Sequence, residues 1–263
     1  MNSNKIENPD TISYGSCPLC FSTNFFCSYN LDIRTHRAFK SHFHPRGYWM
    51  RCGTCGHEFR DGIWIPTRLE EIYAVDDPSQ SLHFDIRRRQ SADIIESVKK
   101  YKSAGTWLDV GFGDGSLLIT AQEYGYDCFG LDYRQGNISH LKNIGIEAFD
   151  YDFLSLEVKE KFDVISMCDL IEHIGYPRDY IRKAHDLLNI SGVLMISCPN
   201  RQSKAWDFYV RNNNNPYMKE LEHYHNFGRE RLIQFVVENG FEYLQYSANS
   251  RYKFGMDLLF CKP

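Results

Sequence analysis

From Thr106 onward, short apolar runs alternate with amphipathic stretches along the chain. Apolar runs of about four to eight residues are typical of buried strands, whereas apolar residues spaced three and four apart predict helices. Their alternation predicts an α/β domain, with a mostly parallel, doubly wound sheet between helices. We predict strands at 107–110, 127–131, 146–149, 162–167, 193–197, 241–246 and 256–261, and helices at 116–124, 137–143, 178–188 and 229–239.

The N-terminal part of the chain has a different pattern. Residues 14–66 are rich in Cys, His, Gly and aromatic residues but poor in apolar periodicity, as expected of a module that a metal holds together. We therefore predict a mobile tail (1–13), this module (14–66), a helical connector (67–102) and the sheet domain (103–263). Within the sheet domain, Gly125, Gly145 and Gly192 each follow a predicted helix, where a left-handed cap is usual.

Composition limits the classes of function. A chain of 263 residues with 43% hydrophobic and 24% charged residues is long enough for one large domain and a small module. Its net charge of −4 offers no basic excess for phosphate backbones, which disfavours nucleic acid as a partner without excluding it. No segment approaches the roughly 20 apolar residues of a membrane span, and the polar start lacks the apolar run of a signal peptide. We expect a cytoplasmic protein.

A glycine-rich turn follows the first predicted strand. Asp109 is followed by Gly111, Gly113 and Gly115, and such a turn lets the backbone approach a ligand closely because no Cβ intervenes. About 20 residues later the second strand ends at Asp132, where a carboxylate can accept hydrogen bonds from the two hydroxyls of a ribose. The pattern predicts a nucleotide-like cofactor.

The segment 108–115 resembles the first motif of class I S-adenosylmethionine-dependent methyltransferases, in which an acidic residue precedes a short GxG. The dehydrogenase fingerprint GxGxxG is absent, since position 116 is neither Gly nor Ala. The resemblance continues at 150–153, at 168–173 and at 197–200, and it implies a seven-stranded sheet closed by an antiparallel strand. The cofactor residues that it implies are Asp109, Gly111, Phe112, Gly113, Asp132, Tyr133, Asp152, Phe153 and Cys168.

Two CxxC pairs, separated by 31 residues, lie in the N-terminal module. Four thiolates can surround Zn²⁺ tetrahedrally, and a two-residue gap lets both sulfurs of a pair reach one ion. Such a closed site supports shape and performs no chemistry. We expect His36, His42 and His44 to lie on an inserted hairpin outside this structural site. The predicted zinc ligands are Cys17, Cys20, Cys52 and Cys55.

The combined chain resembles bacterial sugar methyltransferases whose zinc module forms part of the acceptor pocket, notably in the aromatic segment 43–49. It departs from the longest of them in lacking a large C-terminal domain after the catalytic fold. Methyl transfer to a hydroxyl requires a base, and histidine is the natural choice. The candidates are His223, with Glu222 as its orienting carboxylate, and His173, just beyond the fourth strand. We predict a small or sugar-like acceptor, such as a sugar nucleotide or a surface-glycan precursor.

Two alternatives stay open at this point. A ribosomal RNA methyltransferase could use the zinc module to bind RNA, but residues 14–66 hold only six Lys and Arg against three Asp and Glu. A zinc-stabilised interaction protein with a vestigial fold is disfavoured by the intact Asp109, Gly111, Gly113 and Asp132. The sequence therefore favours an enzyme.

Overall fold

The computed structural model describes residues 8–74, 84–249 and 251–263, and the chain divides into two compact units. Unit 1 takes the described residues up to 74 together with Glu172–Gly175 and Arg201–Arg231. Unit 2 takes the described residues of 84–171, then Tyr176–Asn200 and Leu232–Pro263. This grouping differs from the predicted bounds, because two stretches of the predicted sheet domain fold with the N-terminal module.

The helices and strands are numbered along the chain. The N-terminal elements are β1 (Thr11–Ser13), β2 (Phe25–Asp32), β3 (Arg46–Cys52), β4 (Glu58–Arg60), β5 (Gly62–Trp64) and α1 (Pro66–Tyr73). The central elements are α2 (Phe84–Lys99), β6 (Gly105–Val110), α3 (Ser116–Glu123), β7 (Tyr126–Leu131), α4 (Gln135–Asn143), β8 (Glu147–Phe149), β9 (Phe162–Cys168), α5 (Pro177–Leu187) and β10 (Leu188–Pro199). The last are α6 (Trp206–Arg211), β11 (His225–Asn226), α7 (Arg229–Val237), β12 (Glu242–Ala248) and β13 (Gly255–Cys261).

Unit 1 contains a four-stranded sheet in the order β11-β4-β3-β2. Strands β2 and β3 form the expected hairpin between the cysteine pairs, and β11 brings the distant segment 201–231 to β4 by pairing Asn226 with Glu58. Two buried indole groups also hold segment 201–231 through hydrogen bonds. Trp49 Nε1 donates to the carbonyl of Met218 at 2.8 Å, and Trp64 Nε1 donates to the carbonyl of Leu221 at 2.7 Å. Buried indole N–H groups require such acceptors, which explains why this segment folds with the module.

The N-terminal tail predicted for residues 1–13 ends earlier than expected. Thr11–Ser13 form β1, which pairs antiparallel with β5 from Thr11↔Trp64 to Ser13↔Gly62. Asp10 is buried, and its carboxylate receives Arg68 Nε at 2.8 Å. These residues are thus part of unit 1, and residues 1–7 lie outside the described residues.

Unit 2 contains the predicted seven-stranded sheet, in the order β12-β13-β10-β9-β6-β7-β8. Strands β6 to β10 run parallel, and β13 pairs antiparallel with both β10 and β12. The fold class is therefore confirmed. Each predicted strand overlaps an observed one, and so does each predicted helix. Since the carboxyl ends of parallel strands share one edge of the sheet, residues after β6, β7 and β9 gather there.

One predicted cap is wrong. Gly125 and Gly145 have the expected positive φ, but at the third position Ser191 adopts it (φ +58°) and Gly192 does not. Helix α5 leads straight into β10 at Leu188 with no intervening cap glycine. A side chain is excluded at position 192 for a different reason, because its Cβ would lie 2.8 Å from the carbonyl oxygen of Asn189. Among the described residues, no helix is long and apolar enough to cross a membrane.

Candidate active site

The glycine turn after β6 is left-handed at three positions: Gly111 (φ +72°), Gly113 (φ +61°) and Gly115 (φ +79°). A side chain at position 115 would also place Cβ 2.5 Å from Leu141 Cδ2. The amide of Gly111 donates to the carbonyl of Leu131 at 2.7 Å, which ties the turn to the end of β7. Only glycine meets these requirements without strain, so the turn is a built feature of the sheet edge.

Asp132 organises this turn from the end of the neighbouring strand. Its Oδ2 accepts from the amide of Gly113 at 2.9 Å, and its Oδ1 accepts from the amide of Arg134 at 2.9 Å. Asn137 Nδ2 donates to the carbonyl of Gly113 at 2.5 Å. The predicted ribose-binding carboxylate and the predicted glycine turn are therefore in direct contact within unit 2.

Asp109 lies at the end of β6 and is 2% exposed. Ser166 on β9 donates its hydroxyl to Asp109 Oδ1 at 2.6 Å, and Trp107 Nε1 donates to that serine oxygen at 2.8 Å. Burial raises the pKa of Asp109 to about 7, although the hydrogen bond from Ser166 opposes this shift. A cation bound nearby would favour the ionised carboxylate.

The third predicted contact region follows β8. Phe153 is buried with its ring 5.3 Å from that of Tyr180, while Tyr151 and Asp152 are exposed. Burial first, and then the charge of Asp152, raise the pKa of the Tyr133 hydroxyl, which places these two residues near each other. In contrast, Asp150 accepts from Gln135 Nε2 at 2.8 Å and so has a local partner.

The predicted residue Cys168, and Arg87 beside the glycine turn, each have a partner inside unit 2. The thiol of Cys168 lies 3.5 Å from Met195 Sδ, and burial raises its pKa well above the ordinary value. Arg87 Nη1 lies 3.1 Å from Asp114 Oδ2, beside the glycine turn.

The four predicted zinc ligands converge in unit 1. The Sγ atoms of Cys17 and Cys55 are 3.7 Å apart, those of Cys20 and Cys52 are 3.5 Å apart, and all four sulfurs lie within 4.8 Å of one another. Sulfurs that are about 2.3 Å from a tetrahedral zinc lie about 3.8 Å from each other. The spacing of the four thiols therefore fits one tetrahedral Zn²⁺ ion.

The two cysteine loops have the same backbone shape. The residue after each second cysteine is left-handed, with φ +61° at Phe21 and +71° at Gly56. The amide of Phe21 donates to the carbonyl of Cys17 at 2.9 Å, and that of Gly56 to the carbonyl of Cys52 at 3.0 Å. Matching turns aim both pairs of sulfurs at one point.

The predicted catalytic histidines form a cluster within unit 1. The rings of His173 and His223 pack edge to face with centroids 4.5 Å apart. His173 Nδ1 lies 3.0 Å from the carbonyl oxygen of Glu222, so Nδ1 carries a proton, and in the neutral ring the lone pair lies on Nε2. Burial first, and then His173, hold the pKa of His223 well below its ordinary value. The imidazole of His223 is therefore neutral.

Glu222, predicted to orient His223 through its carboxylate, contacts His173 through its main chain. Its carbonyl fixes the tautomer of His173, whereas its carboxylate Oε1 lies 3.8 Å from Arg37 Nη2. Residue 225, the other histidine of this loop, is buried: His225 Nε2 donates to the carbonyl of Ile174 at 2.9 Å, and its Nδ1 accepts from His57 Nε2 at 2.9 Å. Burial lowers the pKa of His225 to about 4, so this pair is neutral and structural.

A family model described as "Methyltransferase domain" matches residues 83–246. The chain belongs to the methyltransferase domain family. The match includes the glycine turn, Asp132 and the histidine cluster. The prediction of a methyltransferase domain is thereby confirmed.

Two curated relatives match part of this domain. A "Ubiquinone biosynthesis O-methyltransferase" of Ruegeria pomeroyi is 33% identical over 107 residues, which cover 38% of this chain and 43% of the relative. One of the same name from Azorhizobium caulinodans is 31% identical over 152 residues, covering 54% of this chain and 59% of the relative. The chain thus spans about half the length of these relatives. The N-methyltransferase NodS of Bradyrhizobium japonicum, solved with S-adenosyl-l-homocysteine, shares the fold with a TM-score of 0.54 at 17% identity, over 75% of this chain and 97% of that one.

Two residues of the methyltransferase's histidine cluster escape the sequence prediction. Glu172 is 2% exposed and offers a carboxylate oxygen within 4.8 Å of a ring nitrogen of both histidines. Arg60, which is also buried, donates to the carbonyls of His223 (3.2 Å) and Glu220 (2.6 Å). The Glu-His pair at 172–173 is a sequence signal for Glu172, but no sequence pattern links Arg60 to His223.

Proposed function

We propose that the protein transfers the methyl group of S-adenosylmethionine to a hydroxyl group of a small acceptor. The observation that carries this proposal is the contact between the carboxylate of Asp132 and the amide of Gly113 at the carboxyl edge of the sheet. A glycine turn and an acidic residue on adjacent strands suit a ligand that combines a ribose with an amino-acid tail. The methyltransferase family match supports the same cofactor.

Each part of the cofactor has a proposed partner in unit 2. Asp109 and the glycine turn surround the methionine portion, where the carboxylate of Asp109 faces the positive charges of the sulfonium and the amine. Asp132 accepts from the ribose hydroxyls. Asp152 accepts from the adenine amine, with Tyr133 and Phe153 beside the ring. The cofactor supplies an electrophilic methyl carbon, and the protein's residues supply position and charge.

The proposed base is His173. In methyl transfer the acceptor oxygen forms a bond to the methyl carbon as the carbon–sulfur bond breaks, and the hydroxyl proton must leave. The carbonyl of Glu222 holds the proton of His173 on Nδ1, which leaves the Nε2 lone pair to receive the proton of the acceptor. His223 is a weaker base because burial depresses its pKa, so we assign it to positioning against His173.

The four cysteines are proposed to hold one structural Zn²⁺. With four thiolates around the ion, no position remains for an acceptor. Zinc would fix the two cysteine loops and so stabilise unit 1. The double substitution Cys52→Ser and Cys55→Ser should abolish stoichiometric zinc in the purified protein, measured by elemental analysis. Undiminished zinc in this variant would contradict the assignment.

The acceptor class rests on shared chemistry. The sugar-like hydroxyl predicted from sequence and the oxygen acceptor in the names of the relatives both present an O–H whose proton must be removed. A neutral histidine with a fixed tautomer suits either. The two classes differ in acidity, since a phenol loses its proton far more readily than an alcohol. Dependence on the base should therefore be stronger for a sugar hydroxyl.

The test is transfer of an isotope-labelled methyl group to separate panels of sugar nucleotides, simple phenols and ribosomal RNA. We expect product from a hydroxyl acceptor, and a loss of about 100-fold or more in kcat for His173→Asn. His42→Asn is the matched control, because His42 is half-exposed in the same unit and pairs with Glu71 instead. Product only on RNA, or equal kcat in His173→Asn and His42→Asn, would contradict the proposal.

A further inference from the structure

The histidine cluster in unit 1, which supplies the proposed base, is also a set of candidate metal ligands. Glu172, His173 and His223 each offer one ligand atom, and these three atoms lie within 4.8 Å of one another. Two imidazoles and one carboxylate form a donor set that suits Zn²⁺, Co²⁺ or Fe²⁺ better than Mg²⁺ or Ca²⁺, which prefer oxygen alone. This set contains none of the four cysteines.

The protonation of the histidines suits a metal. His173 donates its Nδ1 proton to the carbonyl of Glu222, which is the outer contact that metal-ligating histidines usually make, and Nε2 keeps its lone pair. His223 is 6% exposed, and its Nδ1 has no hydrogen-bond partner among the residues that the structure describes. A buried ring nitrogen without a partner is costly unless a ligand satisfies it.

The backbone around this set is held firmly. The amide of Tyr224 donates to the carbonyl of Glu172 at 2.8 Å, and Arg60 Nε donates to the carbonyl of His223 at 3.2 Å. On the same segment, Tyr14 donates its hydroxyl to the carbonyl of Gly175 at 2.9 Å. Ligands on pinned segments lose little freedom when an ion binds, which favours affinity.

We propose that Glu172, His173 and His223 bind one divalent transition-metal ion, and that this ion blocks methyl transfer. Three protein ligands leave at least one coordination position for water. Inhibition rests on the proposed function, because the ion occupies the Nε2 lone pair that His173 would use as a base. Metal binding itself does not rest on it.

The direct test adds Co²⁺ to protein loaded with one equivalent of zinc per chain, which fills the cysteine site and leaves the second site empty. We expect one equivalent of Co²⁺ per chain to produce visible d–d absorption without the near-ultraviolet bands of thiolate ligands. Glu172→Gln and His223→Asn should each weaken this binding by more than about 100-fold, since loss of an outer-shell partner alone costs roughly 10–100-fold. His42→Asn should bind Co²⁺ as the unchanged protein does.

The outcomes separate the two claims. Absence of a saturable Co²⁺ signal, or wild-type binding in both Glu172→Gln and His223→Asn, would overturn the metal site. Glu172→Gln keeps the size of the side chain, so it remains informative if His223→Asn unfolds, which circular dichroism would show. If Co²⁺ binds in the predicted way but methyl transfer continues at the unchanged rate, the site stands and His173 is not the base.

Discussion

Replacing Asp109 by Asn measures how far the buried carboxylate lowers the free energy of unfolding of unit 2. Burial raises the pKa of Asp109 from 3.8 to about 7, a shift worth about 4 kcal/mol of unfolding free energy. The folded protein holds this proton more tightly than the unfolded chain does. Stability from this group is therefore fully present below about pH 4 and is lost as the pH rises through about 7.

The Asn variant carries no charge at any of these pH values but can still accept from Ser166. We expect its free energy of unfolding to exceed that of the unchanged protein by up to about 4 kcal/mol at pH 8, and the difference to vanish near pH 4. Hydrogen exchange of the β6 amides, measured in urea from pH 4 to 8, isolates unit 2. Asp127→Asn, an exposed aspartate on β7, is the control and should show no pH-dependent difference.

A difference that stays constant across this pH range would refute the reasoning, because it would show that Asp109 does not change its protonation state. Lower stability of Asp109→Asn at pH 8 would refute it too. The same shift predicts that S-adenosylmethionine binds more tightly as the pH rises from 6 to 8, since its cationic groups favour the ionised carboxylate. Isothermal titration at each pH measures this, and a flat or opposite trend would contradict the assigned contact.

Three further changes test other parts of the structure. Gly115→Ala should lower the urea midpoint more than Gly125→Ala, since both have positive φ but only the first would place a Cβ 2.5 Å from a leucine side chain. Asp132→Ala removes two hydrogen bonds to a charged group and should weaken S-adenosylmethionine binding by about 100-fold in titration calorimetry. Arg60→Lys should leave the carbonyls of residues 220 and 223 poorly satisfied and lower kcat by about 10-fold, whereas an unchanged kcat would separate Arg60 from the histidine cluster.

The sheet of unit 2 follows from sequence because its strands are nearly continuous apolar runs, buried on both faces. Gly105–Val110 and Phe162–Cys168 illustrate this, and most of their residues are buried. The positions of the glycine turn and Asp132 then follow from the rule that ligands bind at the carboxyl edge of parallel strands. The apolar pattern of the strands and the rule on the carboxyl edge are therefore sufficient to predict the sheet of unit 2 and the place of its glycine turn.

The composition of unit 1 does not follow from sequence. Strand β11 is only two residues long, His225–Asn226, and so has no periodicity to detect. The bonds that bring segment 201–231 to the module join residues about 160 positions apart, as between Trp64 and Leu221. The cluster of Glu172 with two histidines depends on this long-range pairing, whereas the four cysteines are recognisable from their spacing alone.

The central claim is that unit 2 binds S-adenosylmethionine, and isothermal titration calorimetry of the full chain tests it most directly. The account predicts saturable binding of S-adenosylmethionine and of S-adenosylhomocysteine at one site per chain, sharply weakened in Asp132→Ala and absent with NAD. No saturable heat with either ligand at millimolar concentration, or binding that survives unchanged in Asp132→Ala, would contradict it.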